Sequence, residues 1–325
     1  MLVILACAPP GSRRSEFALG TVCSVTLPDK AQEDVFSAIF ARLHEIEERF
    51  SVSKDGTEVS NINAKAGVEP VHVSADVLAV IERSLHYARI SDGAFDPTIG
   101  PLVKLWGIGF DNPRVPTQTE MDAVLPLVNW RNVRIDAGSV FLTEARMALD
   151  LGGIVKGYAA DEAARILTEN KVKRAIVDLG GNVFVFGKKK DGSNWRIGVQ
   201  NPLSERGESL GVIETAGDKT MVTSGVYERF FEADGVHYHH ILSTEDGFPA
   251  RNGLLSVTVI ADSSIDADAL STTLFALGFE KGVTLVESLD NIDALFIFED
   301  KTVRGTHGAL QCFSLSDNEW TISGR

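Results

Sequence analysis

Apolar and polar positions alternate over residues 16–27 and stop at Pro28, a pattern that predicts a β-strand. The period then changes. Val35, Ile39, Leu43, Ile46 and Phe50 recur at helical spacing and predict one amphipathic helix. A second helix is expected from an N-cap at Ser74 through Val77, Ile81 and Leu85 toward Ser91-Asp92-Gly93. Between residues 107 and 132, Pro113, Pro116 and Pro126 break the pattern into connections, with room for one short helix opening at Thr119-Glu120-Met121-Asp122. Beyond residue 132 short apolar runs bounded by glycines take over, and 174–178, 182–187, 195–199 and 220–223 read as strands. Segments 226–232 and 236–243 flank Ala233-Asp234-Gly235 and predict a hairpin. A strand over 255–261 leads into a helix over about 264–277, closed by Gly278, and a last helix and strands follow. Helices mixed with antiparallel-looking strands predict an α+β fold rather than a doubly wound sheet. The only internal repeat is the tetrapeptide Asp-Leu-Gly-Gly at 150–153 and 178–181.

Charge narrows the function classes. The 325 residues carry 31 Lys+Arg against 45 Asp+Glu, a net charge of −14. Nucleic acid is excluded as a partner, because counterion release requires basic surface. With 44% hydrophobic and 23% charged residues the chain is expected to fold throughout. No apolar run reaches the roughly 18 residues of a spanning helix. The start, Met1 to Ala6 followed by Cys7, looks like the tail of a bacterial lipoprotein signal, although no basic region precedes it. Residues 1–15 are therefore expected to be signal remnant and linker. Lipidated Cys7 would hold the chain at the periplasmic face of the inner membrane. Three scattered cysteines without a CxxC exclude a cysteine zinc site and suggest no disulfide framework.

Four segments could carry chemistry. Asp150 to Asp161 turns from a strand end through Gly152-Gly153 into a helix bearing Lys156, and a helix N-terminus with free N–H groups suits a phosphate. Its spacing is neither GxGxxG nor GxxxxGK[ST], and a Gly-Gly turn can also be a simple connection. Asp268 and Thr272, four apart on a helix, share one face and offer the hard oxygen ligands that Mg²⁺ accepts. Taken alone, the pair reads as readily as a solvated Asp and a Thr bonded to its own helix. On His237-Tyr238-His239-His240, alternation puts His237 and His239 on one face and His240 on the other, so this strand alone makes no three-histidine zinc site. One imidazole there could act as a general base, or all three could be structural. The hydroxyls of Thr223 and Ser224 in Met221-Val222-Thr223-Ser224-Gly225 could hold an anion at a strand end.

In combination these segments resemble the ApbE family, flavin transferases that use FAD to attach FMN to a protein Thr or Ser. The resemblance runs from about Phe17 to Leu277 and its motifs keep the family's order. They are Leu19-Gly20-Thr21; Phe50-Ser51 with Ser60-Asn61-Ile62-Asn63; residues 93–102 from Gly93 to Leu102 followed by Trp106-Gly107; the Asp150 to Asp161 block; Thr223-Ser224-Gly225; His239-His240-Ile241-Leu242; and residues 266–272 from Asp266 to Thr272. The resemblance implies an antiparallel-rich sheet core with packed helices, related to the T-fold, and one catalytic unit over residues 16–325. It implies Mg²⁺ held by Asp268, Thr272 and the carbonyl of Gly153. FAD, as substrate, would contact Leu19, Ala94, Phe95, Asp96, Asp150, Lys156 and Ile241, with His240 as the base. The implied acceptors are flavoprotein subunits of membrane redox complexes.

One position departs from the pattern. Family members commonly carry Tyr two residues after the Ser of the Phe50-Ser51 motif, and this chain has Ser53. Loss of a ring able to stack on the ligand could admit water, making the same site an FAD pyrophosphatase that releases FMN and AMP. A periplasmic flavin- or solute-binding lipoprotein without catalysis is the competing class. It would predict two similar α/β lobes.

Overall fold

The computed structural model describes residues 12–29 and 32–323; Cys7 lies outside the described residues, whereas Ser12 to Ser15, expected as linker, belong to a strand that starts at Ser12. The chain forms two compact units, each assembled from separated stretches. The first takes the chain up to Ile46, then Lys156–Gly225, then the part from Asn252 onward; the second takes Glu47–Val155 and Val226–Arg251.

The first unit is built on a nine-stranded sheet. Its spatial order is Ser12–Ala18, Thr21–Leu27, Ala175–Asp178, Asn182–Phe186, Lys219–Gly225, Leu254–Ala261, Asp293–Phe298, Thr302–Gly305 and Thr321–Ile322. Every pairing is antiparallel except the last, Thr302–Gly305 with Thr321–Ile322. The expected α+β class with an antiparallel-rich core is therefore found. Leu254–Ala261 is buried at every position, which is why it reads as a near-continuous apolar run rather than an alternating one. The helix Ser264–Glu287 packs on Lys219–Gly225, Leu254–Ala261 and Asp293–Phe298. It is the one described helix long and apolar enough to cross a membrane, and it owes that composition to burial in this core. Gly278, at φ 74° and ψ 178°, breaks it where a helix end is expected from the sequence. The helices Glu33–Phe50 and Val155–Glu169 are tied by Arg42, which donates to Glu162 at 2.9 Å and to the Tyr158 hydroxyl at 3.0 Å.

The expected single strand over 16–27 is two strands, Ser12–Ala18 and Thr21–Leu27, paired with Phe17 opposite Val22. Both residues of the turn, Leu19 (φ 54°) and Gly20 (φ 69°), are left-handed, the geometry of a tight primed hairpin turn. Leucine is a poor choice there, so only Gly20 signals the turn and the alternation runs straight across it. A left-handed non-glycine residue costs roughly 1–2 kcal/mol.

The second unit contains the helices Glu58–Ala64, Ala75–Ile90, Gly100–Trp106 and Gln118–Val124, a three-stranded sheet and the hairpin Phe230–Ala233 with Val236–His239. Ser74 caps Ala75–Ile90 as the sequence predicts, its hydroxyl accepting from the Val77 N–H. The short helix expected near residue 119 is present, opened by a Thr117–Glu120 capping box. The hairpin strands are shorter than expected; Asp234 (φ 51°) and Gly235 (φ 74°) make the turn. Glu58–Ala64, Gly100–Trp106 and the strand Ser209–Thr215 were not legible as elements, the first two being too short to show a period. The core gathers Leu102, Trp106, Ile108, Met121 and Leu242, and the Trp106 indole N–H donates to the Gly247 carbonyl at 2.8 Å.

Candidate active site

In the first unit, Asp268 lies on the second turn of Ser264–Glu287 and is 3% exposed. Its Oδ2 accepts the Gly157 N–H at 2.8 Å, at the start of Val155–Glu169. Burial pushes its carboxyl above the usual carboxylate range, opposed chiefly by the charge of Lys156. A buried carboxylate in that condition calls for a cation, and Lys156 alone does not offset its desolvation. One turn on, the Thr272 hydroxyl lies 3.3 Å from the Ser224 hydroxyl, which is also 2.8 Å from that of Ser271. Among the described residues no group of three His, Cys, Asp or Glu could hold a metal. What is present is a carboxylate with hydroxyls, an all-oxygen set that suits Mg²⁺ only when phosphate oxygens and waters complete the shell.

Two features lock this arrangement. Asp161, on Val155–Glu169, accepts the N–H groups of Ser264 and Ile265, each at 2.9 Å, and so caps the helix that bears Asp268. A Cβ on Gly157 would collide with the Ser264 backbone, so glycine is required for the two helix starts to meet. The Lys156 ammonium reaches the Gly180 carbonyl at 3.5 Å. Gly180 in turn leaves no room for a Cβ beside Thr21, which follows the Leu19-Gly20 turn, and the Gly181 carbonyl accepts the Thr223 N–H at 3.0 Å. Lys156, Asp268, Thr272 and Ser224 thus gather in one region, and Thr223 and the Leu19 turn are tied in through Gly180 and Gly181. Gly180-Gly181 and Ser271 are not marked by residue type alone; the second Asp-Leu-Gly-Gly is the sequence signal for the glycines.

Thr223 is less available than expected, since its hydroxyl meets that of Thr258 at 2.8 Å across the sheet.

In the second unit, Asp96 is buried and held by three hydrogen bonds. Its carboxylate accepts from Thr98 N (2.8 Å), Thr98 Oγ1 (2.7 Å) and Trp130 N (2.9 Å). Burial pushes its carboxyl up, and these bonds pull it back. Phe95 is buried beside half-buried Ala94, in the turn that follows Gly93, and its N–H donates to the Ser91 hydroxyl. Asp150 is half-buried; its Oδ1 accepts the Gly152 N–H at 2.8 Å, a turn that holds the loop carrying Gly153, and burial raises its carboxyl. Ile241 is buried, and Ser53 is exposed on the loop after Glu33–Phe50.

The three histidines separate by environment. His237 stacks on Phe230 with Nε2 3.0 Å from the Val226 carbonyl. His239 is buried, hydrogen-bonded through Nε2 to the Ala250 carbonyl and through Nδ1 to the Ile241 N–H, and burial lowers its pKa to about 4. It is a neutral structural histidine. His240 follows the strand, with Nδ1 3.2 Å from the Arg229 carbonyl. A carbonyl only accepts, so Nδ1 carries the proton in the neutral ring and Nε2 is the basic nitrogen.

The family model described as "ApbE family" matches residues 19–296. The FAD:protein FMN transferase of Treponema pallidum is 38% identical, over 95% of this chain and 90% of its own length. The ApbE protein of Thermotoga maritima superposes with a TM-score of 0.85 at 32% identity, covering 93% of this chain and 99% of that one. Flavin transferase ApbE from Vibrio cholerae gives a TM-score of 0.80 at 30% identity, over 91% and 97% of the two chains. The motifs that start at Leu19, the antiparallel-rich α+β fold and the full-length likeness to these proteins agree, and the chain belongs to the ApbE family.

Proposed function

We propose that this protein is an FAD:protein FMN transferase. A Thr or Ser hydroxyl of a target flavoprotein attacks the FMN phosphorus of FAD, the pyrophosphate P–O bond breaks, and AMP leaves with the bonding electrons. The observation that carries the reading is the buried Asp268 carboxylate held by Gly157 beside Lys156, within a chain whose relatives bear that activity in their names. Mg²⁺ fits Asp268 and Thr272, with the Gly153 carbonyl as the third protein ligand that the family resemblance implies, and would neutralise pyrophosphate charge. Lys156 adds a fixed cation for a phosphate oxygen. The basic Nε2 of His240 takes the proton of the attacking hydroxyl. Leu19, Ala94, Phe95, Asp96, Asp150 and Ile241 are the remaining proposed contacts to FAD, and the bonds of Asp96 to Thr98 and Trp130 hold the turn that presents Ala94 and Phe95.

The acceptors are proposed to be flavoprotein subunits of membrane redox complexes, met at the periplasmic face of the inner membrane by a chain anchored through lipid on Cys7. Ser53 favours a second outcome at the same site, hydrolysis of FAD to FMN and AMP, because an exposed serine shields nothing from water. Incubating the protein with FAD and Mg²⁺, with and without a peptide carrying an acceptor Thr, separates the outcomes. AMP together with flavinylated peptide is the expected result; AMP alone means hydrolysis, and neither product refutes catalysis and leaves flavin binding.

A further inference from the structure

Outside this region the first unit concentrates positive charge at one place, against the net −14 of the chain. Lys171, Lys173, Arg174 and Lys190 line a cavity of about 350 Å³ together with Leu27 and Asp29. Two segments meet there, Lys171 to Arg174 after the helix Val155–Glu169 and the Lys188 to Lys190 loop after Asn182–Phe186. Gly187 brings them together: it has φ 67°, and its missing Cβ leaves room for the Lys173 carbonyl. Asp29 pairs with Nη1 of Arg174 at 3.1 Å, and Nε of Arg174 is buried without a hydrogen-bond partner. Lys171, Lys173 and Lys190 are exposed and form no ion pair among the described residues. The cluster lies at the C-terminal end of the 15-residue helix Val155–Glu169, whose N-terminal end holds Gly157, so it stands about 20 Å from Asp268. It is not part of the FAD region.

The sheet register places the start of the first strand beside this cluster. Ser12 pairs with Leu27, which lines the cavity, so the chain enters the fold at the same end of the sheet as the basic residues. Ser12 is five residue steps from Cys7, a span of at most about 17 Å. We propose that Lys171, Lys173, Arg174 and Lys190 form a binding site for anionic phospholipid headgroups, orienting this end of the first unit onto the membrane surface. The choice of a lipid over a free phosphate rests on the anchored reading of Cys7 given above. Fields of exposed charges fade within about 8–10 Å at physiological salt, so the headgroups respond to the local excess of cations, three exposed lysines beside the Arg174–Asp29 pair, and not to distant acidic residues.

The test uses the full chain with Cys7→Ala, which removes any lipid and isolates the cluster. Sedimentation with phosphatidylcholine vesicles, with and without phosphatidylglycerol, should show binding only to the anionic ones, weakened by salt. Lys171→Glu/Lys173→Glu/Lys190→Glu should lower that binding at least about ten-fold while AMP release from FAD in solution stays unchanged. A control triple, Lys54→Glu/Lys65→Glu/Lys301→Glu, changes net charge equally and should leave vesicle binding intact. Equal losses in both triples, equal binding to neutral vesicles, or protection by inorganic phosphate without vesicle binding would each overturn the proposal. Labelling of the unmutated chain with radioactive palmitate reports the anchor separately. A missing label there removes the anchored reading and leaves the vesicle result standing.

Discussion

Asp161 offers a quantitative test of how the Asp268 helix is held. Both its oxygens accept backbone N–H groups of Ser264 and Ile265, which by itself would favour the ionised form. Burial outweighs those bonds, with a smaller push from Asp266, and raises the carboxyl from 3.8 to about 6. The folded state therefore holds this proton more tightly than the unfolded chain. The resulting stability is fully present below about pH 4 and is lost as pH rises through about 6. A shift of about two units at about 1.4 kcal/mol each makes the change roughly 3 kcal/mol. Asp161→Asn mimics the protonated acid in shape and has no proton to lose. Urea unfolding followed by circular dichroism, run on both proteins at about pH 4 and about pH 8, isolates the effect, because other titrating groups cancel in the difference. The variant should gain about 3 kcal/mol relative to the unmutated protein between the two pH values. A difference unchanged to within about 0.5 kcal/mol would mean that Asp161 is not buried as an ion, and the account of the cap would fail.

Other substitutions probe the neighbouring links. Gly157→Ala forces a methyl into the Ser264 backbone, so overpacking of about 1–3 kcal/mol should exceed the helix-propensity gain of at most about 1 kcal/mol. Thermal unfolding should register that loss together with a higher Mg²⁺ requirement, and a more stable variant with unaltered Mg²⁺ dependence would contradict the close approach. His240→Asn should keep FAD affinity, measured by flavin fluorescence, while transfer slows about 10²–10⁴-fold; an unaltered rate removes His240 as the base. Ser53→Tyr should raise the ratio of flavinylated peptide to free FMN, and identical product ratios would refute the shielding role.

Sequence periodicity alone delivered the helices at Glu33–Phe50 and Ala75–Ile90, the Gly278 break and most of the central strands, because each is long or sharply bounded. Residue identity and motif order point to the family and mark Asp268, Thr272 and Lys156 as candidates. What the sequence could not contain was which distant groups meet. The hairpin at Leu19-Gly20 was hidden because a leucine occupies a left-handed position and the alternation continues through it. Asp96 is chemically a ligand candidate, and only the fold shows its oxygens committed to Thr98 and Trp130. His237, His239 and His240 are equivalent by composition; burial and the partner of each ring nitrogen separate them. The nature of each side chain is local and is written in the sequence. Its pKa, its free valences and its neighbours depend on desolvation and on hydrogen bonds between residues as far apart as Gly157 and Asp268, and those exist only once the helices have packed.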